Sequence, residues 1–160
     1  PLTNSKTSTS NRCPMYSPKL FPRLTCPPTG FEQADIVVEP LSISHAIIDF
    51  EAVYASRQML NARYKTPNHW PLNITLHDNL VDLGWHEKEF RDESSFAYTI
   101  TNQSRSKCYG CIYIIPIESR PTLSFWLRCD GESPLDEASF KVLIRDWLAS
   151  AWKGHEINIM

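Results

Sequence analysis

Residues 121–154, "PTLSFWLRCDGESPLDEASFKVLIRDWLASAWKG", decide the fold. Leu123, Phe125 and Leu127 alternate with other residues, which predicts that they share one face of a strand. Trp126 and Arg128 then fall on the opposite face. The chain turns at "CDGESP" (129–134) and continues with a different periodicity, so a strand here leads directly into a helix.

The helix after this turn is the best-defined element of the sequence. Ser133 is expected as its N-cap and Pro134 as its first residue, and Asp136 completes a capping box. Apolar residues then recur at the spacing of one helical face: Phe140, Leu143, Ile144, Trp147, Leu148 and Ala151. "HEINIM" (155–160) follows as a short closing strand.

The elements upstream complete a mixed sheet. A strand at 31–41 is followed by helices at 42–60 and 75–90, and then by a three-strand antiparallel meander over 95–129. The strand–helix–strand crossover after the meander requires a parallel pair. We therefore expect an α+β fold, a mostly antiparallel mixed sheet with helices on both faces, that ends after its fifth strand.

Each upstream helix has a predicted apolar face. In the first helix this face comprises Ile43, Ile47, Phe50 and Tyr54, and in the second it comprises Leu76, Leu80, Leu83 and Phe90. Thr75 and Asp78 have the spacing of a capping box at the start of the second helix.

Composition and charge divide the chain into a tail and a domain. The chain has 160 residues, 42% hydrophobic, and a net charge of −2. Residues 1–30 contain four basic and no acidic residues, six of the twelve prolines and nine Ser or Thr, which predicts a flexible basic tail before a domain at 31–160. A transit peptide is the alternative, although the prolines disfavour the amphipathic helix that it needs. Neither nucleic acid nor a membrane is an expected partner, because the chain has no overall basic field and no long apolar run.

Five cysteines, an odd number, argue against a secreted disulfide scaffold and favour reduced thiols in the cytoplasm. Cys108 and Cys111 form a CxxC within the strand-like stretch "KCYGCIYII" (107–115). Residues three apart on a strand point to opposite faces, so these thiols would share a metal only if the strand contained a bulge. No metal site is expected.

The order of elements, together with "WPLNITLHDNLVDLGWHEKEF" (70–90), "SFAYTI" (95–100) and "GCIYIIP" (110–116), resembles the GNAT superfamily of acyl-CoA N-acyltransferases. The resemblance covers roughly residues 31–160. It implies that acetyl-CoA is the co-substrate, and that its pantetheine arm pairs with the strand before the long helix. It also implies that the last two strands separate to admit the thioester.

Transferred by position, the resemblance implies that Leu127, Arg128 and Cys129 line the pantetheine. It also implies that the turn Asp130, Gly131, Glu132 and Ser133 holds the diphosphate. Free amides and the positive end of a helix dipole meet at such a turn. The turn departs from the family signature, since Gly131 is its single glycine and acidic residues surround it. The family also continues beyond the fifth strand, where its general-acid tyrosine is often found.

Two residues are candidates for catalysis. By the resemblance, Glu118 lies where the family often places a general base, and His86 lies on a helix that borders the acceptor; the alternative for both is an exposed polar side chain. "WHEKEF" (85–90) lacks the second histidine of a zinc-protease motif. The expected function is transfer of an acetyl group to a primary amine of a small molecule or peptide. The alternative is a catalytically inactive GNAT-like binding module, and a homodimer is the candidate assembly.

Overall fold

The computed structural model describes residues 17–33 and 35–160 as an α+β fold with one six-stranded sheet. The strands are β1 (Phe31–Gln33), β2 (Ile36–Pro40), β3 (Phe96–Asn102), β4 (Cys108–Ile117), β5 (Arg120–Leu127) and β6 (Asn158–Ile159). The helices are α1 (Ala46–Ala55), α2 (Arg57–Tyr64), α3 (Leu76–Arg91) and α4 (Glu137–Ala151). Within the described residues, no helix combines the length and the apolar character that crossing a bilayer requires.

The strands lie in chain order, β1 to β6, and each neighbouring pair is antiparallel except β5 and β6. The parallel β5–β6 pair is joined by α4, as the crossover rule requires. The predicted first strand is divided into β1 and β2, so the predicted fifth strand is β6. The predicted mixed, mostly antiparallel sheet is therefore confirmed.

Helices cover both faces of the sheet. On one face, Phe125 and Leu127 of β5 pack with Phe140, Ile144 and Trp147 of α4. On the other face, Trp126 of β5 packs with residues of the remaining helices, namely Ala52 and Val53 of α1, Leu60 of α2 and Leu83 of α3. The alternation predicted for β5 thus separates two hydrophobic cores.

The helix predicted over 42–60 is interrupted at Ser56, where α1 ends and α2 begins. Its predicted apolar face is wrong, because Ile43, Ile47 and Tyr54 are exposed. The buried residues of α1 are instead Ala46, Asp49, Ala52 and Val53. Small side chains let α1 lie close to β4, and they leave the larger residues outside.

The start of α4 also differs from the expectation. The helix begins at Glu137, and the N-cap is Asp136, whose Oδ1 accepts from Ser139 N at 2.9 Å. Ser133 instead accepts from Leu135 N within the preceding turn, at 3.1 Å. The capping box of Thr75 and Asp78 at the start of α3 is confirmed.

A bulge in β4 overturns the expectation that Cys108 and Cys111 face opposite sides. Ile100 of β3 pairs with Gly110 but Thr101 pairs with Cys108, so Tyr109 is an extra residue in β4. Both thiols are consequently buried in the core under α1. A side chain at Gly110, where φ is 152°, would place Cβ 1.9 Å from Trp126 O. Only glycine fits this close approach.

The end of the predicted tail packs on the domain. Phe21 is buried against Phe96 and Trp152, with ring centroids 6.0 and 5.3 Å away. The Tyr98 hydroxyl donates to Pro28 O at 2.8 Å. The rest of the predicted tail, residues 1–16, lies outside the described residues and remains a prediction.

Candidate functional site

Over its second half, the edge of β5 that faces β6 pairs with no strand in the described part of the chain. β6 pairs only with Thr122 and Leu123, whose O accepts from Met160 N at 3.0 Å. Backbone groups alternate in direction along a strand, and Arg128 N donates to Tyr109 O on the β4 side. The peptide groups of Phe125 and Leu127 therefore point away from β4, into the space where β6 no longer pairs.

A groove with a cavity of about 540 Å³ runs along this free edge, between α2 and the start of α4. Arg63 of α2 reaches across it: Nη1 donates to Phe125 O at 3.0 Å, and Nη2 to Glu137 Oε1 at 2.8 Å. Lys141, one turn after Glu137, also lines the groove. The groove therefore carries two cations beside the part of the β5 edge that β6 does not pair, and one of these cations holds Phe125 O.

Arg128, the residue after β5, is buried, with 4% of its surface exposed. Both its Nη atoms donate to the Glu51 carboxylate, at 2.9 and 2.8 Å, and its Nε donates to Asp130 Oδ1 at 2.8 Å. Nη1 also donates to Cys108 O at 3.0 Å. Hydrogen bonds from Arg128 hold the pKa of Asp130 at about 2. The Arg128 charge is therefore balanced internally, and its side chain ties the turn to α1.

In the turn predicted to hold a diphosphate, 130–133, one backbone N–H group already has an acceptor within the protein. Glu132 N donates to Asp130 Oδ1 at 3.2 Å, and the Glu132 side chain pairs with Lys107. The amides of Gly131 and Ser133 donate to no other residue in the described part of the chain. Gly131 has φ 84°, a left-handed conformation that favours glycine.

Of the residues predicted to line the pantetheine, Leu127 and Cys129 differ in position. The peptide group of Leu127 points away from β4, as that of Phe125 does, while its side chain packs in the core under α4. Cys129 lies beyond the end of β5 and is exposed.

A second cavity, of about 370 Å³, adjoins the groove on the α3 side of the sheet. Tyr64 and Ser124 line both cavities, so these two residues stand between them. The second cavity also contains Asp82 and His86 of α3. The two cavities thus meet at β5, one with cations and the other with a carboxylate and an imidazole.

His86 is held between two acidic residues. Its Nε2 is 3.8 Å from Asp82 Oδ2, and its Nδ1 is 3.9 Å from Glu89 Oε2. The ring lies over Tyr113 of β4, with centroids 5.3 Å apart. Nδ1 is buried and has no hydrogen-bond partner among the described residues. The imidazole is therefore held in place while its Nδ1 makes no hydrogen bond to the described residues.

Burial is the largest influence on the pKa of two groups around this cavity. It raises the pKa of Asp82, an effect that the nearby His86 opposes and Glu89 reinforces. Burial also raises the pKa of the Tyr64 hydroxyl, and the neighbouring Arg63 acts in the opposite direction. Tyr64 therefore keeps its proton at neutral pH, as a general acid must.

The structure does not bring Glu118 to either cavity. Glu118 is exposed in the tight turn between β4 and β5, with φ 49°. The start of β5 at Arg120 is five residues from Phe125, which is roughly 16 Å along a strand. His86, by contrast, lines the second cavity together with Tyr64 and Ser124.

Two residues of the site were not anticipated from the sequence: Arg63 and Tyr64. Both lie at the end of α2, which was not recognised as a separate helix. Lys141 was predicted from the sequence, with Arg128, to offset part of the acidic charge at the turn; it lies one helical turn inside α4 and faces the same direction as Glu137.

Solved structures with a similar fold include acetyltransferases. The chain superimposes on the microcin C7 self-immunity acetyltransferase MccE, solved with acetyl-CoA and AMP, with TM-score 0.53, 15% identity, and coverage of 77% of this chain and 68% of that one. It superimposes on a ribosomal-protein-S5-alanine acetyltransferase from Vibrio fischeri with TM-score 0.55 and 14% identity, covering 81% of this chain and 72% of that one. For the ribosomal L7/L12 alpha-N-protein acetyltransferase RimL in complex with coenzyme A, the TM-score is 0.55 and the identity 13%, with coverage of 75% of this chain and 66% of that one.

The chain spans about two thirds of the length of these proteins. No protein-family model and no curated protein matches it. At such low identity the structural likeness establishes the fold alone, and the same superfamily recurs across the matches. The chain therefore has the fold of the GNAT superfamily of N-acetyltransferases.

Proposed function

We propose that this protein is an acyl-CoA-dependent N-acetyltransferase that acetylates a primary amine. The observation that carries the proposal is the pair of adjoining cavities that share Tyr64 and Ser124. One cavity suits an anionic coenzyme, and the other suits a cationic amine. The acetyl-CoA and coenzyme A complexes of proteins with this fold support the proposal.

The groove along β5 is the proposed acetyl-CoA site. The peptide groups of Phe125 and Leu127 pair with the amides of the pantetheine arm once Arg63 Nη1 has released Phe125 O. Arg63 and Lys141 bind phosphate oxygens, and the amides of Gly131 and Ser133 extend this set toward the turn. Arg63 must first exchange its bond to Glu137 for a phosphate, because both partners use the same Nη2.

The second cavity is the proposed acceptor site. Asp82 attracts the protonated amine, and His86 takes a proton from it so that the nitrogen lone pair becomes available. Acetyl-CoA supplies the activated acetyl thioester. The amine nitrogen forms a bond to the acetyl carbon, and the carbon–sulfur bond breaks. Tyr64, which lines both cavities, then donates its proton to the departing thiolate sulfur, and the remaining excess proton on the amide nitrogen restores the Tyr64 hydroxyl.

The nature of the acceptor remains a proposal. A small molecule or the amine of a peptide fits a cavity of this size. Proteins of this fold include enzymes named for alpha-N-protein and for alanine acetylation. A homodimer, a cytoplasmic location and a contribution from Glu118 likewise remain predictions.

A non-catalytic binding module is the second candidate, and two observations favour it. Arg63 already occupies Phe125 O and Glu137, and Asp130 and Glu132 place negative charge near the proposed phosphate site. Negative charge around a helix N-terminus weakens its attraction for an anionic ligand.

Isothermal titration with acetyl-CoA, followed by a transfer assay on a panel of primary amines, separates the two functions. The enzyme proposal predicts saturable binding and release of coenzyme A that depends on the amine. Absence of binding at millimolar acetyl-CoA would reject it. Binding of acetyl-CoA without transfer to any amine or peptide would favour the non-catalytic module.

A further inference from the structure

The core between α1 and β4 contains three side chains that are capable of binding a metal. Asp49, Cys108 and Cys111 each present one ligand atom, and these atoms all lie within 4.8 Å of one another. Tetrahedral zinc with bonds of 2.3 Å separates two thiolates by roughly 3.8 Å. Side-chain adjustments of about an ångström therefore bring these three groups to zinc-binding geometry.

The bulge in β4 is what assembles this cluster. In a regular strand, Cys108 and Cys111 would point to opposite faces, and one of them would enter the core under α4. The extra residue Tyr109 turns both thiols toward α1, and Gly110 permits the close approach to Trp126 O that the bulge requires. Bulges of this kind re-aim side chains at specific sites.

Asp49 is an unusual residue for this position. It is 2% exposed, and among the described residues its oxygens accept from Asn79 Nδ2, at 3.0 Å, and from the Cys111 thiol, at 3.2 Å, alone. Within the described part of the chain, no lysine or arginine forms an ion pair with it. A buried carboxylate is costly without a cation or a full set of donors, and a metal ion bonded to its oxygen would give it a direct cationic partner.

We propose that Cys108, Cys111 and Asp49 bind a structural Zn²⁺ ion. The ion takes the place of the two thiol protons, which are released to solvent, and bonds to two thiolates and one carboxylate oxygen. Thiolate ligands select zinc over magnesium or calcium. The Thr99 hydroxyl, with Oγ1 3.6 Å from Cys108 Sγ, is a neutral donor beside the fourth position. The ion joins α1 to the sheet and does not depend on the proposed acetyl transfer.

The test measures zinc in the untagged full chain, expressed with zinc and purified without chelators. Mass spectrometry of the metal is expected to find one zinc per chain. Cys108→Ser and Cys111→Ser should lose it. Cys26→Ser, which changes an exposed cysteine outside the cluster, should retain it. Asp49→Asn should weaken zinc binding by about tenfold or more in competition with a chromogenic chelator.

Cobalt substitution of the wild-type protein gives an independent readout, which also serves if the serine variants fail to fold. Two thiolate ligands predict thiolate-to-cobalt charge-transfer absorption and the intense visible bands of a tetrahedral site. The proposal is overturned if the wild type lacks zinc both as purified and after refolding with zinc. A Cys108–Cys111 disulfide in the protein purified without oxidant, or unchanged zinc in both serine variants, would overturn it equally.

Discussion

Arg63 and Glu137 face each other across the groove beside β5, with Nη2 2.8 Å from Oε1. The two residues are separated by 74 positions in the sequence, and the same guanidinium also bonds Phe125 O. This ion pair therefore occupies the site proposed for the coenzyme. It competes with a phosphate for Arg63 and places a carboxylate beside it.

Glu137→Gln is expected to strengthen acetyl-CoA binding by about two- to fivefold, because it removes one negative charge at the helix N-terminus and releases Arg63. Titration calorimetry at low salt measures the effect. Asp146→Asn is the matched control, since Asp146 lies nine residues further along α4, about 13 Å away. Weaker binding by Glu137→Gln would show that the ion pair shapes the site rather than blocking it.

Arg63→Gln is expected to weaken acetyl-CoA binding by about tenfold or more, because a charge-assisted hydrogen bond contributes about 1.5–3 kcal/mol. The loss should be smaller for dephosphorylated pantetheine ligands, which lack the diphosphate. Arg57→Gln, at the other end of α2, is the control. If Arg63→Gln bound acetyl-CoA equally well or more tightly, Arg63 would only block the groove and would not bind the coenzyme.

His86→Gln is expected to lower kcat by about a hundredfold, because general bases contribute factors of this order. The Kd of acetyl-CoA should not change, since His86 lies in the second cavity and not in the groove. Steady-state kinetics and calorimetry are compared with His77→Gln, an exposed histidine on the same helix. An unaffected kcat would remove His86 from the mechanism.

Tyr64→Phe is expected to lower kcat by about tenfold to a hundredfold while the protein stays folded, because the ring still packs between the cavities. The loss should diminish with an acyl donor whose leaving group needs no proton. Tyr54→Phe, which changes an exposed tyrosine on α1, is the control. If the loss were the same for every donor, Tyr64 would be a packing residue only.

The Arg128–Asp130 pair is expected to stabilise the fold in a pH-dependent way. Because the pKa of Asp130 falls from 3.8 to about 2 on folding, the contribution is complete above the unfolded pKa and disappears as the pH falls toward 2. Urea denaturation should therefore show Asp130→Asn less stable than the wild type at neutral pH and equal to it near pH 2. A stability difference that stays constant across this range would contradict the pairing.

Local sequence patterns predicted much of the fold. The alternation of Leu123, Phe125 and Leu127 and the apolar face of α4 each depend on neighbouring residues of one element, so the sequence displays them directly. The same holds for the capping box of Thr75 and Asp78. The face of α1 was mispredicted because its contact side is made of small residues and one aspartate, which a hydrophobic pattern does not reveal.

Of the candidate site, the sequence by itself determined that a strand leads through an acidic turn into a helix, and that His86 lies on a helix; that this helix borders the acceptor was implied only by the resemblance to the GNAT superfamily. Only the tertiary structure decided that Arg63 and Tyr64 line the groove, that Arg128 is neutralised by Glu51, and that a bulge brings Cys108 and Cys111 together. The physical reason is that periodicity encodes which side of an element is buried. Register shifts and contacts between distant segments arise only when whole elements pack against each other.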